Sequence, residues 1–242
     1  MKTFLFYFAY FFLYSVIGWI FETCFVMLKS KDKKFVDRGF LVGPYCPIYG
    51  CGALIMIFYL TQYKDNALTV FILSLVICSI LEYVTSYIME KLFKTRWWDY
   101  SNYKFNLNGR ICGQNSLLFG LGGIIVIYIA HPVMIKLLNR IPTNIFCAIS
   151  AFVLVLFIAD FILSMNVINS FKKTLTSIDL KKDSTLEFAK AVREKIISNH
   201  TILQKRLLDA FPDIIVDKLL DIKNDIKEEL KEFIDKYDDK ND

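Results

Sequence analysis

Long apolar stretches separated by short polar connections dominate the first 169 residues of the chain. Five of them are long enough to cross about 30 Å of hydrocarbon as helices that rise about 1.5 Å per residue. They cover residues 3–28, 44–63, 67–90, 112–136 and 143–169. The pattern predicts an integral, multi-pass protein of the cell membrane, built as an all-α bundle of about five spans.

The second apolar stretch differs from the others because glycine and proline crowd its beginning. The residues concerned are Gly43, Pro44, Pro47, Gly50 and Gly52. Lipid cannot pair with free amide and carbonyl groups, so non-helical backbone at membrane depth is tolerated only where protein surrounds it. We therefore expect this segment to begin as an irregular or re-entrant piece.

The pattern changes after the last apolar stretch, which divides the chain into a transmembrane domain, 1–169, and a cytoplasmic helical tail, 170–242. After Pro212 apolar residues recur every three or four positions, at Ile215, Leu219, Ile222, Ile226, Leu230, Phe233 and Tyr237. This spacing predicts an amphipathic helix. It can fold back on the stretch 185–211, since Pro212 interrupts the helix between them. Self-association or a partner helix is the alternative use of the same apolar face.

Charge follows the same division. The net charge is +5, and residues 1–169 hold 14 Lys and Arg against 8 Asp and Glu. These basic residues concentrate in the connections 29–43 and 91–111, and Lys172 and Lys173 continue them into the tail. The positive-inside rule makes both connections and the tail cytoplasmic, with the N-terminus outside. The basic excess therefore concerns orientation in the bilayer, and no nucleic-acid partner is expected.

The motifs of common enzymes are absent from the sequence. It contains no G-x-x-x-x-G-K-[ST] loop, no H-E-x-x-H and no G-x-S-x-G. Six cysteines include no C-x-x-C pair, and only two histidines are present. No catalytic residue, metal ligand or cofactor is therefore expected in this chain.

Three acids lie inside the apolar stretches: Glu22, Glu82 and Asp160. An ionisable group at membrane depth costs about 2.5–3.5 kcal/mol on insertion scales, so it normally faces protein or water. All three fall in the half of their span that leads to the cytoplasmic side. A polar cavity that opens to the cytoplasm and includes Glu22, Glu82 and Arg110 explains this placement. The alternative is that each acid pairs with an arginine and only fixes helix packing.

Two further groups extend the candidate site. Ser79, Glu82, Ser86 and Glu90 recur at three- and four-residue steps, which places them on one face of the third span. The connection 91–111 adds Arg96, Asp99, Asn106, Asn108 and Arg110 beside two tryptophans. Aromatic residues suit the membrane interface. An arginine with amide neighbours can also hold a phosphate or carboxylate.

Several short motifs follow one another along the first half of the chain. They are Gly18-Trp19 with Glu22, Arg38-Gly39-Phe40-Leu41 before Gly43-Pro44, Pro47-Ile48-Tyr49-Gly50, Leu81-Glu82-Tyr83 with Glu90, Trp97-Trp98-Asp99-Tyr100-Ser101 and Asn108-Gly109-Arg110-Ile111-Cys112. In this order they resemble the ABC-transporter permease family of the CmpB type over roughly residues 5–135. The resemblance implies a transport role. Gly113-Gln114-Asn115 departs from the more apolar continuation that the family leads us to expect.

Three functions are compatible with these features. The first is a transporter permease subunit with a polar cavity on the cytoplasmic side. Its partners would be the lipid bilayer, a separate ATPase subunit and a second copy of the chain. The second is a membrane enzyme or binding protein for lipid headgroups, and the third is a non-catalytic membrane scaffold. The intramembrane acids favour the first.

The orientation leads to a labelling experiment. In a background without native cysteines, Asp65→Cys should react with a membrane-impermeant thiol reagent added outside, because it lies in a connection poor in Lys and Arg. Lys240→Cys should be protected until the membrane is opened. The reverse labelling pattern would contradict the predicted orientation.

Overall fold

The computed structural model describes residues 2–29, 37, 39, 41–93 and 98–176. Its helices are α1 (Lys2–Lys29), α2 (Pro47–Leu60), α3 (Ala67–Phe93), α4 (Gly113–Ile125), α5 (His131–Leu138) and α6 (Thr143–Thr176). A 3-10 turn, Thr61–Tyr63, ends α2, and a π-helical turn, Val126–Ala130, joins α4 to α5. No strand forms within these ranges, where Leu107 and Ile111 make an isolated bridge. The predicted all-α fold is confirmed.

Four of the described helical segments are long and apolar enough to cross a membrane. They are Lys2–Leu28, Ala67–Leu92, Gly113–Leu138 and Thr143–Asn166. They correspond to the first, third, fourth and fifth apolar stretches of the sequence. The chain is therefore a multi-pass membrane protein.

The second predicted span is shorter than expected. Residues 41–46 are not helical, and α2 has only 14 residues, which is about 21 Å of helix. The irregular beginning is the feature that the glycine and proline residues predicted. Three residues of the predicted span, 44–46, precede the helix, and its last three, 61–63, form the 3-10 turn. Pro47 is the first residue of α2, a position where its missing amide hydrogen costs no helical hydrogen bond.

The helix α2 nevertheless carries the chain back through the bundle. It runs antiparallel to α1, since Tyr49 packs at Gly18 whereas the Phe58 ring lies 4.7 Å from the Tyr7 ring. Its last residue, Leu60, packs in one buried cluster with Val70, near the start of α3. The helix α2 thus returns the chain from α1 to α3, although its 14 residues are fewer than those of the four described segments long enough to span a membrane.

Close approaches at glycine hold these helices together. A Cβ at Gly50 would overlap the carbonyl oxygen of Phe11 and the Ser15 side chain on α1. A Cβ at Gly123 of α4 would overlap Ser74 of α3. Lipid supplies no hydrophobic force between helices, so van der Waals contact at such small residues is a main source of their association.

The irregular segment 41–46 is fixed to α6 by Asp160. The Asp160 carboxylate accepts hydrogen bonds from the backbone amides of Val42 (3.2 Å) and Gly43 (2.9 Å), and from the Tyr45 hydroxyl. Ser164, one turn further along α6, donates to the same carboxylate over 3.2 Å. Asp160 is thus paired with backbone amides and a phenol, and not with an arginine as in the alternative drawn from the sequence.

The predicted cytoplasmic tail lies mostly outside the described residues. Helix α6 continues to Thr176, beyond the predicted domain boundary at residue 169. The tail helices 185–211 and 213–242 fall outside the described ranges, and their hairpin arrangement stays a prediction.

Two glycines of α2 provide a matched test of the α1–α2 packing, because Gly50 faces α1 and Gly52 faces α3. Gly50→Ala should destabilise the protein by about 1–3 kcal/mol, because the new Cβ overlaps α1 backbone. Gly52→Ala places its Cβ 3.6 Å from Leu81 Cδ2, an ordinary contact, and should be neutral or stabilising by up to about 1 kcal/mol. Unfolding in lipid nanodiscs measures both. Equal destabilisation by the two changes would argue against this helix contact.

Candidate functional site

The first acid of the candidate site, Glu22, is half-buried and is held by a tyrosine of α2. The Tyr49 hydroxyl donates to Glu22 Oε2 over 2.7 Å. Gly18 lies one turn before Glu22 on α1, and a Cβ there would overlap the Tyr49 ring. The missing side chain at Gly18 therefore lets the ring lie against α1 with its hydroxyl at the carboxylate.

The second acid, Glu82, lies where α3, α4 and the connection 98–112 meet. Its side chain is only 8% exposed. The Tyr100 hydroxyl donates to Glu82 Oε1 over 3.0 Å, and Asn115 Nδ2 of α4 donates to the Tyr100 hydroxyl over 2.7 Å. In the described part of the chain, the other carboxylate oxygen, Oε2, is buried without a hydrogen-bond partner.

Both acids affect the ionisation of the Tyr100 hydroxyl. Burial raises the pKa of Tyr100, and the negative charges of Glu82 and then Glu22 raise it further. Glu22 approaches this group through α2, whose Tyr49 donates to Glu22. Gly52, one turn further along α2, lies beside Leu81, the neighbour of Glu82. We call Glu22, Tyr49, Glu82, Tyr100 and Asn115 the acidic site.

Arg110 lies in a second group, further along α3. Its guanidinium makes an ion pair of 2.8 Å with Glu90 and a 3.3 Å hydrogen bond to Ser86. The rings of Tyr83 and Tyr87 lie 5.7 and 5.4 Å from the guanidinium carbon, within the range of cation–π attraction. The structure thus brings Arg110 to Glu90, and the ion pair fixes the end of the connection 98–112 to α3.

Asp99 and Asn106 shape the connection itself. Asp99 Oδ1 accepts from the amide and the hydroxyl of Ser101. Asn106 Nδ2 donates to the carbonyl oxygens of Ser101 and Tyr103, and its Oδ1 accepts from the Gly109 amide. These bonds close a compact turn, and the turn places Tyr100 over Glu82.

Asn108 supports the same turn from its far end. It has a positive φ of 53°, a conformation that asparagine tolerates better than most residues. Its Nδ2 donates to the Tyr83 hydroxyl over 3.0 Å. Among the residues proposed from sequence, Arg96 lies outside the described residues.

Three residues of the acidic site were not among those proposed from the sequence. They are Tyr49, Tyr100 and Asn115. The first two lie inside the motifs quoted above, and Asn115 belongs to the unexpectedly polar start of α4. A buried acid needs hydrogen-bond donors. A hydroxyl or amide side chain within an otherwise apolar or aromatic motif is therefore the sequence signal for the residues that supply them.

The fold and the acidic site define a multi-pass helical membrane protein with ionisable groups at membrane depth. Residues 9–165 match the model of the family described as "Putative ABC-transporter type IV". This match covers more than half of the 242 residues, so the chain belongs to that family. Compared with curated proteins and with solved structures, the chain shows no match.

The hydroxyl of Tyr100 can be tested against that of its neighbour Tyr103. Tyr100→Phe removes the donor to Glu82 and should destabilise the protein by about 1–3 kcal/mol, because it leaves buried polar atoms unpaired. Tyr103→Phe is the control, since Tyr103 is 39% exposed and surface changes usually stay within about 0.5 kcal/mol. Equal unfolding free energies for the two variants would contradict the role given to Tyr100.

Proposed function

We propose that the chain is the membrane-embedded permease subunit of a transporter and that the acidic site lies on its substrate path. The observation that carries the proposal is Glu82, which is buried in an apolar helix with one carboxylate oxygen unpaired among the described residues. A buried acid without a full set of donors is costly. Such groups in membrane helices typically mark substrate or ion pathways.

The position of the site supports access from the cytoplasm. Glu22 lies in the last third of α1, and Glu82 lies just past the middle of α3. Both helices lead into the connections rich in Lys and Arg, which the positive-inside rule makes cytoplasmic. We therefore propose that the site opens on that side, with the N-terminus outside.

A permease of this class needs a source of energy that the chain does not carry. The sequence has no P-loop, so ATP hydrolysis falls to a separate subunit. A bundle of four or five passes is also small for a complete transport pathway. A second copy or another membrane subunit would complete it.

The contacts of the connection 98–112 favour transport over headgroup binding. The headgroup hypothesis assigns ligand contacts to Asp99, Asn106 and Arg110. Asp99 and Asn106 make the hydrogen bonds that close the turn, and Arg110 pairs with Glu90. The unpaired oxygen of Glu82 instead directs the search for a ligand to the acidic site.

The proposal is tested with the tagged full-length chain purified from the membranes of its own organism into nanodiscs. It should retain a P-loop subunit that hydrolyses ATP. Glu82→Gln should retain this subunit but lower the hydrolysis rate per folded chain about tenfold, since removing a charged hydrogen-bonding group costs about 1.5–3 kcal/mol.

Asp65→Asn is the matched control for this experiment. It makes the same change of charge at an exposed residue in the connection between α2 and α3, and it should hydrolyse ATP like the wild type. If no ATP-hydrolysing subunit is retained, or if Glu82→Gln and Asp65→Asn have the same rate, the permease proposal fails.

A further inference from the structure

We propose that the ligand of the acidic site is a small organic cation with N–H donors, such as a primary amine. This inference rests on the proposed function, since it names the substrate class of the same site. It follows from three properties of the site: its charge, its shortage of hydrogen-bond donors and its small number of metal ligands.

The site holds two carboxyl groups and no basic side chain among the described residues. Glu22 and Glu82 are two carboxyl groups on helices that both pack against α2, and their described hydrogen-bond partners, Tyr49 and Tyr100, are phenols. Neither carboxylate is ion-paired with a described lysine or arginine, and the guanidinium of Arg110 pairs with Glu90. A cation stabilises the ionised form of both carboxyl groups, whereas an anion opposes it.

The shortage of donors points to a ligand that donates hydrogen bonds. A carboxylate can accept about four hydrogen bonds. The tyrosines supply one hydroxyl donor each, to Glu22 Oε2 and Glu82 Oε1. Glu82 Oε2 is buried, and no described group donates to it. An ammonium group has three donors in a compact volume, and its charge strengthens each bond that it makes.

The ligand set is poor for a metal ion. No described group of three or more His, Cys, Asp or Glu side chains is arranged to hold one. Calcium takes about 6–8 oxygen ligands, and magnesium needs near-octahedral geometry. Two carboxylates and two phenols, of which the phenols already donate to the carboxylates, leave such an ion under-coordinated. An amine needs only acceptors, which the site offers.

The inference is tested by direct binding to the full-length chain in lipid nanodiscs, measured by isothermal titration calorimetry. The probes are 1,4-diaminobutane, ethylammonium and guanidinium. Two controls match the first probe: its fully N-methylated form keeps the charge but has no N–H group, and succinate has the opposite charge. At least one amine or guanidinium probe should bind, and both controls should bind about tenfold more weakly or not at all.

Variants connect the binding to the acidic site. Glu82→Gln and Glu22→Gln should each raise the dissociation constant about tenfold or more, whereas Asp65→Asn should leave it unchanged. Glu82→Asp keeps the charge and should bind more tightly than Glu82→Gln. Thermal unfolding of each variant identifies any that is not folded. If Glu82→Gln is not folded, Glu82→Asp is compared with the wild type instead.

Several results would overturn the inference. They are failure of all three N–H probes to bind, equal binding of the N-methylated form, preferential binding of succinate, or equal affinities in all the variants. If no probe binds but Glu82→Gln still lowers ATP hydrolysis by the retained subunit, only the assignment of an amine ligand is rejected. Amine binding to a chain that retains no ATPase would leave the ligand assignment intact and reject the permease role.

Discussion

The need to supply hydrogen-bond donors to carboxylates inside apolar helices organises this membrane bundle. Each of three intramembrane acids is met by a segment outside its own helix: Glu22 by Tyr49, Glu82 by Tyr100, and Asp160 by the backbone of residues 42–43. An unpaired acid in this environment costs several kcal/mol. The acids therefore dictate where the irregular segment 41–46 and the connection 98–112 fold, and these segments in turn define the acidic site.

Small residues make these pairings geometrically possible. Gly18 leaves room for the Tyr49 ring, and Gly50 lets α2 lie against the backbone of α1. Arg110 contributes from the other side, because its ion pair with Glu90 holds the turn that carries Tyr100. Arg110 makes this ion pair with Glu90, and no described ion pair joins it to Glu22 or Glu82. The turn that holds Tyr100 over Glu82 is thus fixed by a residue that does not itself pair with the two acids.

Sequence patterns predict the elements better than they predict the contacts. The length of the apolar stretches is enough to find α1, α3, α4–α5 and α6, and Gly43-Pro44 marks the irregular start of the second pass. The partners of Asp160 could not be found in this way, since backbone amides have no residue signature. Arg110 could pair by charge with Glu22, Glu82 or Glu90, and only the register of the turn on α3 selects Glu90.

The central claim is that Glu22 and Glu82, far apart in sequence and on different helices, form one site. A double-mutant cycle with Glu22→Gln and Glu82→Gln, read as free energies of unfolding of the full-length chain in nanodiscs, tests it most directly. Interacting residues should give a coupling energy of at least about 0.5 kcal/mol, whereas Glu82→Gln combined with Asp65→Asn should be additive within that amount. Additive effects in both cycles would contradict the shared site.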